Sequence, residues 1–264
     1  MNGILHLSFV LALVCFLGAC SSEGDSPRRL TLFVAASMTD VIQEVGAAFE
    51  AESGAKLVYN FAGSGALAQQ IIASPRADLF ISASERWMDE VQSAGRILEG
   101  GRESLLSNSL VVVANRESDY RLDAIEELCS LPFDLLATGD PAFVPAGGYA
   151  KQYLSGVACS DGAQSVWQRL EGRISPAPDV RAALSQVIGS EDVIGIVYRT
   201  DALARGDDVD TIFEIAPSQG PEILYPIGIL RQSQQLELAR DFVAFLRSDR
   251  ARRIFEAAGF IMAQ

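Results

Sequence analysis

Short apolar runs rich in β-forming residues alternate with helix-like segments along most of the chain. Strands are predicted at 30–35, 56–61, 77–82, 110–114, 134–138 and 193–198. Helices are predicted between them, for instance at 39–52 and 66–73, and two amphipathic helices at 234–247 and 250–258. Strands separated by helices need crossover connections, so this alternation predicts an α/β fold with parallel sheets.

The N-terminus resembles a bacterial lipoprotein signal. Residues 4–16 are almost entirely apolar, a run shorter than the roughly 20 residues of a membrane span, and Leu17-Gly18-Ala19 leads directly to Cys20. We expect a signal peptide over 1–19, a lipid on Cys20 and a polar tether over 20–28. The domain is then expected in the periplasm or at the cell surface, anchored to the membrane through Cys20. The n-region, 1–3, departs from the pattern because it lacks Lys and Arg. An ordinary cleaved signal with an incidental cysteine is the alternative.

Charge and histidine content exclude several functional classes. The chain has 34 acidic and 21 basic residues, for a net charge of −13, which argues against nucleic-acid binding. Its one histidine, His6, lies in the predicted signal, so histidine-based catalysis and histidine-ligated zinc are excluded from the mature chain. Export permits a disulfide between Cys129 and Cys159, with two buried free thiols as the alternative.

Two of the predicted strand-to-helix junctions carry a serine. Ligands of α/β sheets bind beyond the carboxyl ends of the strands, where these junctions lie. Ser37 has capping-box spacing to Asp40, so it is either a plain N-cap or a residue whose hydroxyl and N–H face a ligand. Ser64 lies between Gly63 and Gly65, which permit close approach of the backbone to a ligand.

Three further junctions add donors without adding cations. Pro145 suits a helix start and leaves the N–H of Ala146 free, Val180 opens a helix, and Tyr198 ends a strand, where edge packing is the alternative. With the two serines, the junctions supply three hydroxyls and four N–H groups. Such a neutral cage suits a fully ionised tetrahedral oxyanion, since all ligand oxygens are acceptors. No carboxylate that would favour a protonated anion is obvious, and no coordinated metal cation is expected.

These junctions, in this order, resemble the molybdate-binding proteins of bacterial ABC importers, which are type II periplasmic binding proteins. The matching segments span about 30–260 and include VAAS, FAGSGALAQQI, ADLFISAS, GDPAFVPAGGYAK, DVRAAL, GIVYRTDA and YPIGI. Met38 and Gly148 depart slightly from the family pattern without removing a donor. By this resemblance, the oxyanion-contacting positions correspond to Ser37, Ser64, Ala146, Val180 and Tyr198.

The resemblance implies two α/β lobes joined by crossing hinge strands, with the ligand in the cleft. One lobe is expected at 29–111 plus 224–264 and the other at 112–223. The implied function is delivery of molybdate or tungstate to a permease powered by a cytoplasmic ATPase, by a monomer without cofactor or catalysis. The alternatives are a receptor for sulfate or another oxyanion, and an exported enzyme that uses carboxylates as acid and base.

Overall fold

A computed structural model describes residues 28–263 of the chain. The predicted signal peptide, Cys20 and all of the tether except Arg28 lie outside the described residues. The strands are β1 Arg29–Ala35, β2 Lys56–Ala62, β3 Leu79–Ile81, β4 Ile97–Ser107, β5 Leu110–Asn115, β6 Leu135–Gly139, β7 Ile174–Ala177, β8 Val193–Tyr198, β9 Val209–Glu214, β10 Leu224–Leu230 and β11 Ile261–Met262. The helices are α1 Thr39–Ser53, α2 Ser64–Ala73, α3 Glu85–Ser93, α4 Pro145–Ser155, α5 Val166–Leu170, α6 Val180–Ile188, α7 Arg199–Ala204, α8 Leu236–Leu246 and α9 Asp249–Ala257.

The first sheet is built from both ends of the described chain. Its six strands lie in the order β11-β4-β10-β3-β1-β2. β1 pairs in parallel with β2 and β3, whereas β10 runs antiparallel to both β3 and β4. The carboxyl ends of β1 and β2 therefore meet at the same edge, at Ala35 and Ala62.

The second sheet is built from one continuous stretch of chain. Its five strands lie in the order β7-β6-β8-β5-β9. β6 is parallel to β7 and β8, and β5 is antiparallel to β8 and β9. The α/β class is confirmed, and the predicted parallel pairing is present in both sheets, but each sheet is mixed because it also contains antiparallel pairs.

The chain crosses between the two sheets twice. It passes from β4 to β5 through Asn108 and Ser109, and returns between β9 and β10. The returning strand pairs with the departing one, since Leu224 lies opposite Ser107. The second sheet begins at Leu110, two residues before the predicted start of the second lobe at 112. The lobe boundaries themselves stay a prediction.

Apolar side chains cover both faces of the first sheet. On one face Phe49 of α1 packs edge-on against Phe242 and Phe245 of α8, with ring centroids 5.0 and 5.4 Å apart. On the other face, buried side chains of α2 and α3 form a second cluster with Phe33 and Phe80. Burial of this kind stabilises the sheet by about 1.5–3 kcal/mol for each large apolar side chain. Within 28–263, no helix combines the length and the apolar character needed to cross a membrane.

Candidate ligand-binding site

One pocket brings together the five residues predicted to contact a ligand. It encloses about 200 Å³, including its open mouth. Both sheets contribute to its wall, because Ser37 and Ser64 follow β1 and β2, whereas the other three belong to the second sheet and its helices. The lining residues are Ala35, Ala36, Ser37, Ala62, Gly63, Ser64, Ala83, Val144, Pro145, Ala146, Asp179, Val180 and Tyr198.

Three helices begin at the pocket. α2 begins at Ser64, α4 begins at Pro145 with Ala146 as its second residue, and α6 begins at Val180. The first N–H groups of a helix have no acceptor within that helix, and they carry the positive end of its dipole. The backbone therefore supplies three converging donors from Ser64, Ala146 and Val180, a suitable arrangement for an anion.

The hydroxyl of Ser64 is held by a contact that leaves its proton available. Its Oγ accepts a hydrogen bond from the backbone N–H of Ala83 over 3.0 Å, and the side chain is buried. Because the oxygen is already used as an acceptor, the hydroxyl proton is left to be donated into the pocket.

Ser37 does not cap α1, so the capping-box interpretation is wrong. It lies in a short 3₁₀ turn, Ala36–Met38, and Met38 occupies the N-cap position of α1 without a side-chain hydrogen bond. The turn is closed by the Thr39 hydroxyl, which donates to the carbonyl of Ala36 over 2.7 Å. The Ser37 hydroxyl instead lies 3.3 Å from that of Tyr225 on β10.

Tyr198 ends β8 with a buried hydroxyl that lacks a partner. The residue is 1 % exposed, and its Oη has no hydrogen-bond partner among the described residues. Burial raises the pKa of the Tyr198 phenol well above its ordinary value, so the group remains a donor. A buried donor without a partner costs about 1–3 kcal/mol. Such a cost is removed when an acceptor enters the pocket.

Asp179 adds a carboxylate to the pocket wall, contrary to the expectation of an uncharged lining. Its Oδ1 caps α6 by accepting the N–H of Ala182 over 2.9 Å. The capping bond gives this carboxylate a local structural role. All other lining residues of this pocket are uncharged. Local N–H dipoles, rather than cationic side chains, face the pocket.

Several contacts join the two sheets around this pocket. Arg181 Nη1 on α6 lies 2.8 Å from Asp40 Oδ2 on α1, in the other half. Within its own half, Arg181 Nε lies 2.6 Å from Oδ1 of the buried Asp201 on α7. The second contact is a close charge contact and does not have the geometry of a hydrogen bond. Phe143 stacks on Trp87 with ring centroids 6.3 Å apart. The two halves are therefore closed against each other.

Gly63 explains how the backbones approach so closely. A Cβ atom at this position would lie 2.7 Å from the carbonyl oxygen of Pro178, in the loop before α6. The sequence predicts that Gly63 lets the backbone approach a ligand closely. In the structure, Gly63 lets the backbone approach the loop before α6 on the opposite side of the cleft. Sequence spacing offered no signal for this contact.

Cys129 and Cys159 form a disulfide in the structure, with Cα atoms 5.9 Å apart. It joins the short 3₁₀ segment Ile125–Cys129 to the loop after α4. Neither cysteine lines the pocket. The bond belongs to the framework of the second sheet rather than to the binding site.

Comparison with known proteins places similar chains in solute transport. The family model described as bacterial extracellular solute-binding protein matches residues 30–261. The molybdate-binding protein ModA of Escherichia coli is 36% identical over 256 residues, which cover 96% of each chain. A putative ABC transporter substrate-binding lipoprotein, YvgL of Bacillus subtilis, is 32% identical over 260 residues, again 96% of each chain. The periplasmic molybdate-binding protein of Azotobacter vinelandii has the same fold, with a TM-score of 0.76 at 21% identity over 89% of this chain and 100% of that one.

Proposed function

The chain belongs to the family of bacterial extracellular solute-binding proteins, and from that membership we propose that it binds molybdate or tungstate outside the cytoplasm and delivers the anion to an ABC importer. The observation that carries the proposal is the convergence of Ser37, Ser64, Ala146, Val180 and Tyr198 on one pocket. The ModA relative, at 36% identity, supports molybdate as the ligand.

The donor set explains how a chain with a net charge of −13 holds an anion. Three hydroxyls and the N–H groups at the starts of the helices surround the pocket, and each donor acts over a few ångströms. The net charge acts over longer distances and is screened within about 10 Å at ordinary salt. Molybdate and tungstate present only acceptor oxygens, so every donor finds a partner.

Closure of the cleft follows from the origin of the donors. We assign 29–111 plus 224–264 to one lobe and 112–223 to the other, with a hinge near 110–113 and 224–227. Ser37 and Ser64 belong to the first lobe, and Ala146, Val180 and Tyr198 belong to the second. An anion bound by all five favours the closed state, because only that state supplies all the donors at once.

The closed, loaded form is the species that docks on the permease, whose cytoplasmic ATPase powers uptake. Binding and release require no chemical change in the anion, so the protein acts without catalysis or cofactor. We further propose a monomer anchored through a lipid on Cys20, which the B. subtilis relative, named as a lipoprotein, supports.

Ligand identity is tested by thermal unfolding of the domain from residue 28 onward, with molybdate, tungstate, sulfate, phosphate or no addition. A ligand at about 1,000 times its dissociation constant stabilises the folded state by about 4 kcal/mol. We expect large shifts with molybdate and tungstate only, with sulfate distinguished by size because its bonds to oxygen are shorter. A shift with sulfate alone replaces this proposal with a sulfate receptor.

Phosphate and the absence of any response are informative as well. A shift with phosphate alone would indicate a receptor for another oxyanion. No shift with any anion would reopen the alternative of an exported enzyme. Ser37→Ala and Ser64→Ala should each weaken molybdate binding by about 1–3 kcal/mol, because each leaves a charged acceptor unpaired. Molybdate binding unchanged in either variant would refute the pocket assignment.

A further inference from the structure

A chain of buried hydrogen bonds leads from the first crossing between the sheets to the pocket. The backbone N–H of Ser109 donates to Asn108 Oδ1 over 2.9 Å. This contact fixes which end of the Asn108 amide is oxygen. Its Nδ2 then donates one hydrogen to Thr200 Oγ1 over 2.9 Å and the other to Tyr225 Oη over 3.2 Å.

The orientation of the Asn108 amide favours one direction for the next hydrogen bond, between Tyr225 and Ser37. Tyr225 Oη accepts from Asn108, so its own proton is free for its other neighbour, Ser37 Oγ, at 3.3 Å. A phenol is also a stronger acid than an alcohol, which favours the same direction. Ser37 therefore accepts from Tyr225, and its own proton is left for the pocket.

Burial keeps water from competing for these groups. Asn108 is 4 % exposed, Ser37 is 3 % exposed and Tyr225 is fully buried. Burial also raises the pKa of the Tyr225 phenol, so the proton stays on its oxygen. Hydrogen bonds in such a chain polarise one another, which strengthens the last donor.

We propose that Asn108 and Tyr225 are positioning residues that fix the Ser37 hydroxyl as a hydrogen-bond donor toward the bound anion. The inference rests on the proposed function, and adds to it two residues that do not line the pocket. The hydroxyl is oriented before the ligand arrives, so binding loses less rotational freedom.

The test is a double-mutant cycle that combines Tyr225→Phe with Ser37→Ala, read as the dissociation constant for molybdate by calorimetry. Tyr225→Phe keeps the ring, which packs against Phe260 with centroids 5.5 Å apart, and removes only the hydroxyl. We expect it to weaken binding about three- to tenfold, the effect of one ordinary hydrogen bond. In the Ser37→Ala background the same change should alter binding less than twofold.

Tyr120→Phe is the control, because it also removes a tyrosine hydroxyl, one that donates to the carbonyl of Pro132 and does not line the pocket. It should leave the dissociation constant unchanged. Equal effects of Tyr225→Phe in both backgrounds would overturn the inference, as would unchanged binding by Tyr225→Phe. If the parent protein binds no oxyanion, the proposed function itself fails.

Asn108→Asp gives a second, independent cycle, which also serves if Tyr225→Phe does not fold. The variant places a carboxylate oxygen where the amide nitrogen was, so it accepts a hydrogen bond from Tyr225 instead of donating one. Tyr225 then accepts from Ser37, and the hydrogen bonds of the chain run in the opposite direction. The added negative charge affects molybdate binding both with Ser37 present and in the Ser37→Ala variant. Only the difference between the two losses of affinity therefore reports on the chain of hydrogen bonds. We expect a loss of molybdate binding at least threefold greater with Ser37 present than in the Ser37→Ala background. Equal losses would overturn the inference.

Discussion

The backbone N–H of Gly65 donates to the carbonyl oxygen of Phe143 over 3.1 Å. Gly65 is the second residue of α2 on the first sheet, and Phe143 precedes α4 on the second. The bond joins the two halves beside the pocket without using a side chain. It exists only when the cleft is closed, so it is a direct marker of closure.

Replacing Gly65 should obstruct this closed state. A Cβ atom at Gly65 would overlap the Phe143 carbonyl oxygen and the ring of Trp87. We expect Gly65→Ala to weaken molybdate binding about 5- to 150-fold, since a clash of about 1–3 kcal/mol reduces the closed population accordingly. Calorimetry measures the loss. Gly148→Ala is the control, because its Cβ would lie 3.6 Å from its nearest neighbour; an equal loss in both variants would contradict the prediction.

Removing the Tyr198 hydroxyl should separate binding from stability. Its Oη lacks a partner in the closed structure, so Tyr198→Phe deletes a donor that only the anion satisfies. We expect molybdate affinity to fall about tenfold or more, the effect of a hydrogen bond to a charged group. The free energy of unfolding without ligand should not decrease. Urea titrations measure that quantity, and a clear decrease would indicate a structural role instead.

The ion pair between Asp40 and Arg181 should contribute modestly to closure. Asp40 is 64% exposed, and pairs this exposed contribute about 0–1 kcal/mol. We expect Asp40→Asn to weaken molybdate binding about two- to fivefold at low salt and less at high salt. Glu237→Gln, which breaks a pair with Arg240 on α8, is the control. Molybdate titrations at two salt concentrations test this prediction. A loss of molybdate affinity that grows with salt would contradict it.

Asp201 should make stability depend on pH. Burial raises the pKa of this carboxyl to about 7, although Arg181 opposes the shift. The folded state then holds a proton that the unfolded state, with a pKa near 3.9, has released, so stability falls as pH rises from about 4 to about 7. The slope is at most about 1.4 kcal/mol per pH unit, and it ends above pH 7.

Asp201→Asn removes this titration and should flatten the pH profile over the same interval. Arg181 stays charged throughout, so the loss of its partner adds an offset that does not change with pH. Urea unfolding of both proteins from pH 4 to pH 8 measures the difference. The prediction fails if the parent gains stability relative to the variant as pH rises.

The disulfide should contribute to stability and not to binding. Cys129 and Cys159 are separated by 30 residues. A loop of this length corresponds to about 3–4 kcal/mol of stabilisation in the chain-entropy account. We expect Cys129→Ala with Cys159→Ala to lower the free energy of unfolding by about that amount, while molybdate affinity stays within twofold. A large change in affinity would show that the disulfide supports the pocket.

Strands with strong local patterns could be predicted from the sequence. The bounds and pairing of β4 and β10, which lead out of the first sheet and back into it, could not be predicted from local patterns. Residues 193–198 are uniformly apolar or aromatic and form β8 at those bounds. β4 contains Gly100 and Gly101, and β10 contains Pro226, so neither shows a clean strand pattern. Their antiparallel pairing in the first sheet depends on a long-range contact that no local periodicity encodes.

The pocket was predictable where donors belong to helix starts, and less so where they depend on tertiary contacts. Pro145 and Val180 carry local signals of helix initiation, and both begin helices. The helix start at Thr39 is as predicted, but the spacing of Ser37 to Asp40 favoured a cap, whereas Ser37 lies in a 3₁₀ turn and Met38 takes the N-cap position. Tyr225 and Asn108 carried no signal, because their role arises from contacts 117 residues apart in sequence.

The strand order of the first sheet also determines when the protein can assemble. β10 lies between β3 and β4, so β4 has no place in that sheet until residues 224–230 have been made. The second sheet, by contrast, is complete at Glu214. A chain synthesised from its N-terminus therefore completes the second sheet before the first. Because Tyr225 on β10 holds the hydroxyl of Ser37, the anion site reaches its final form only after residues 224–230 have joined the first sheet.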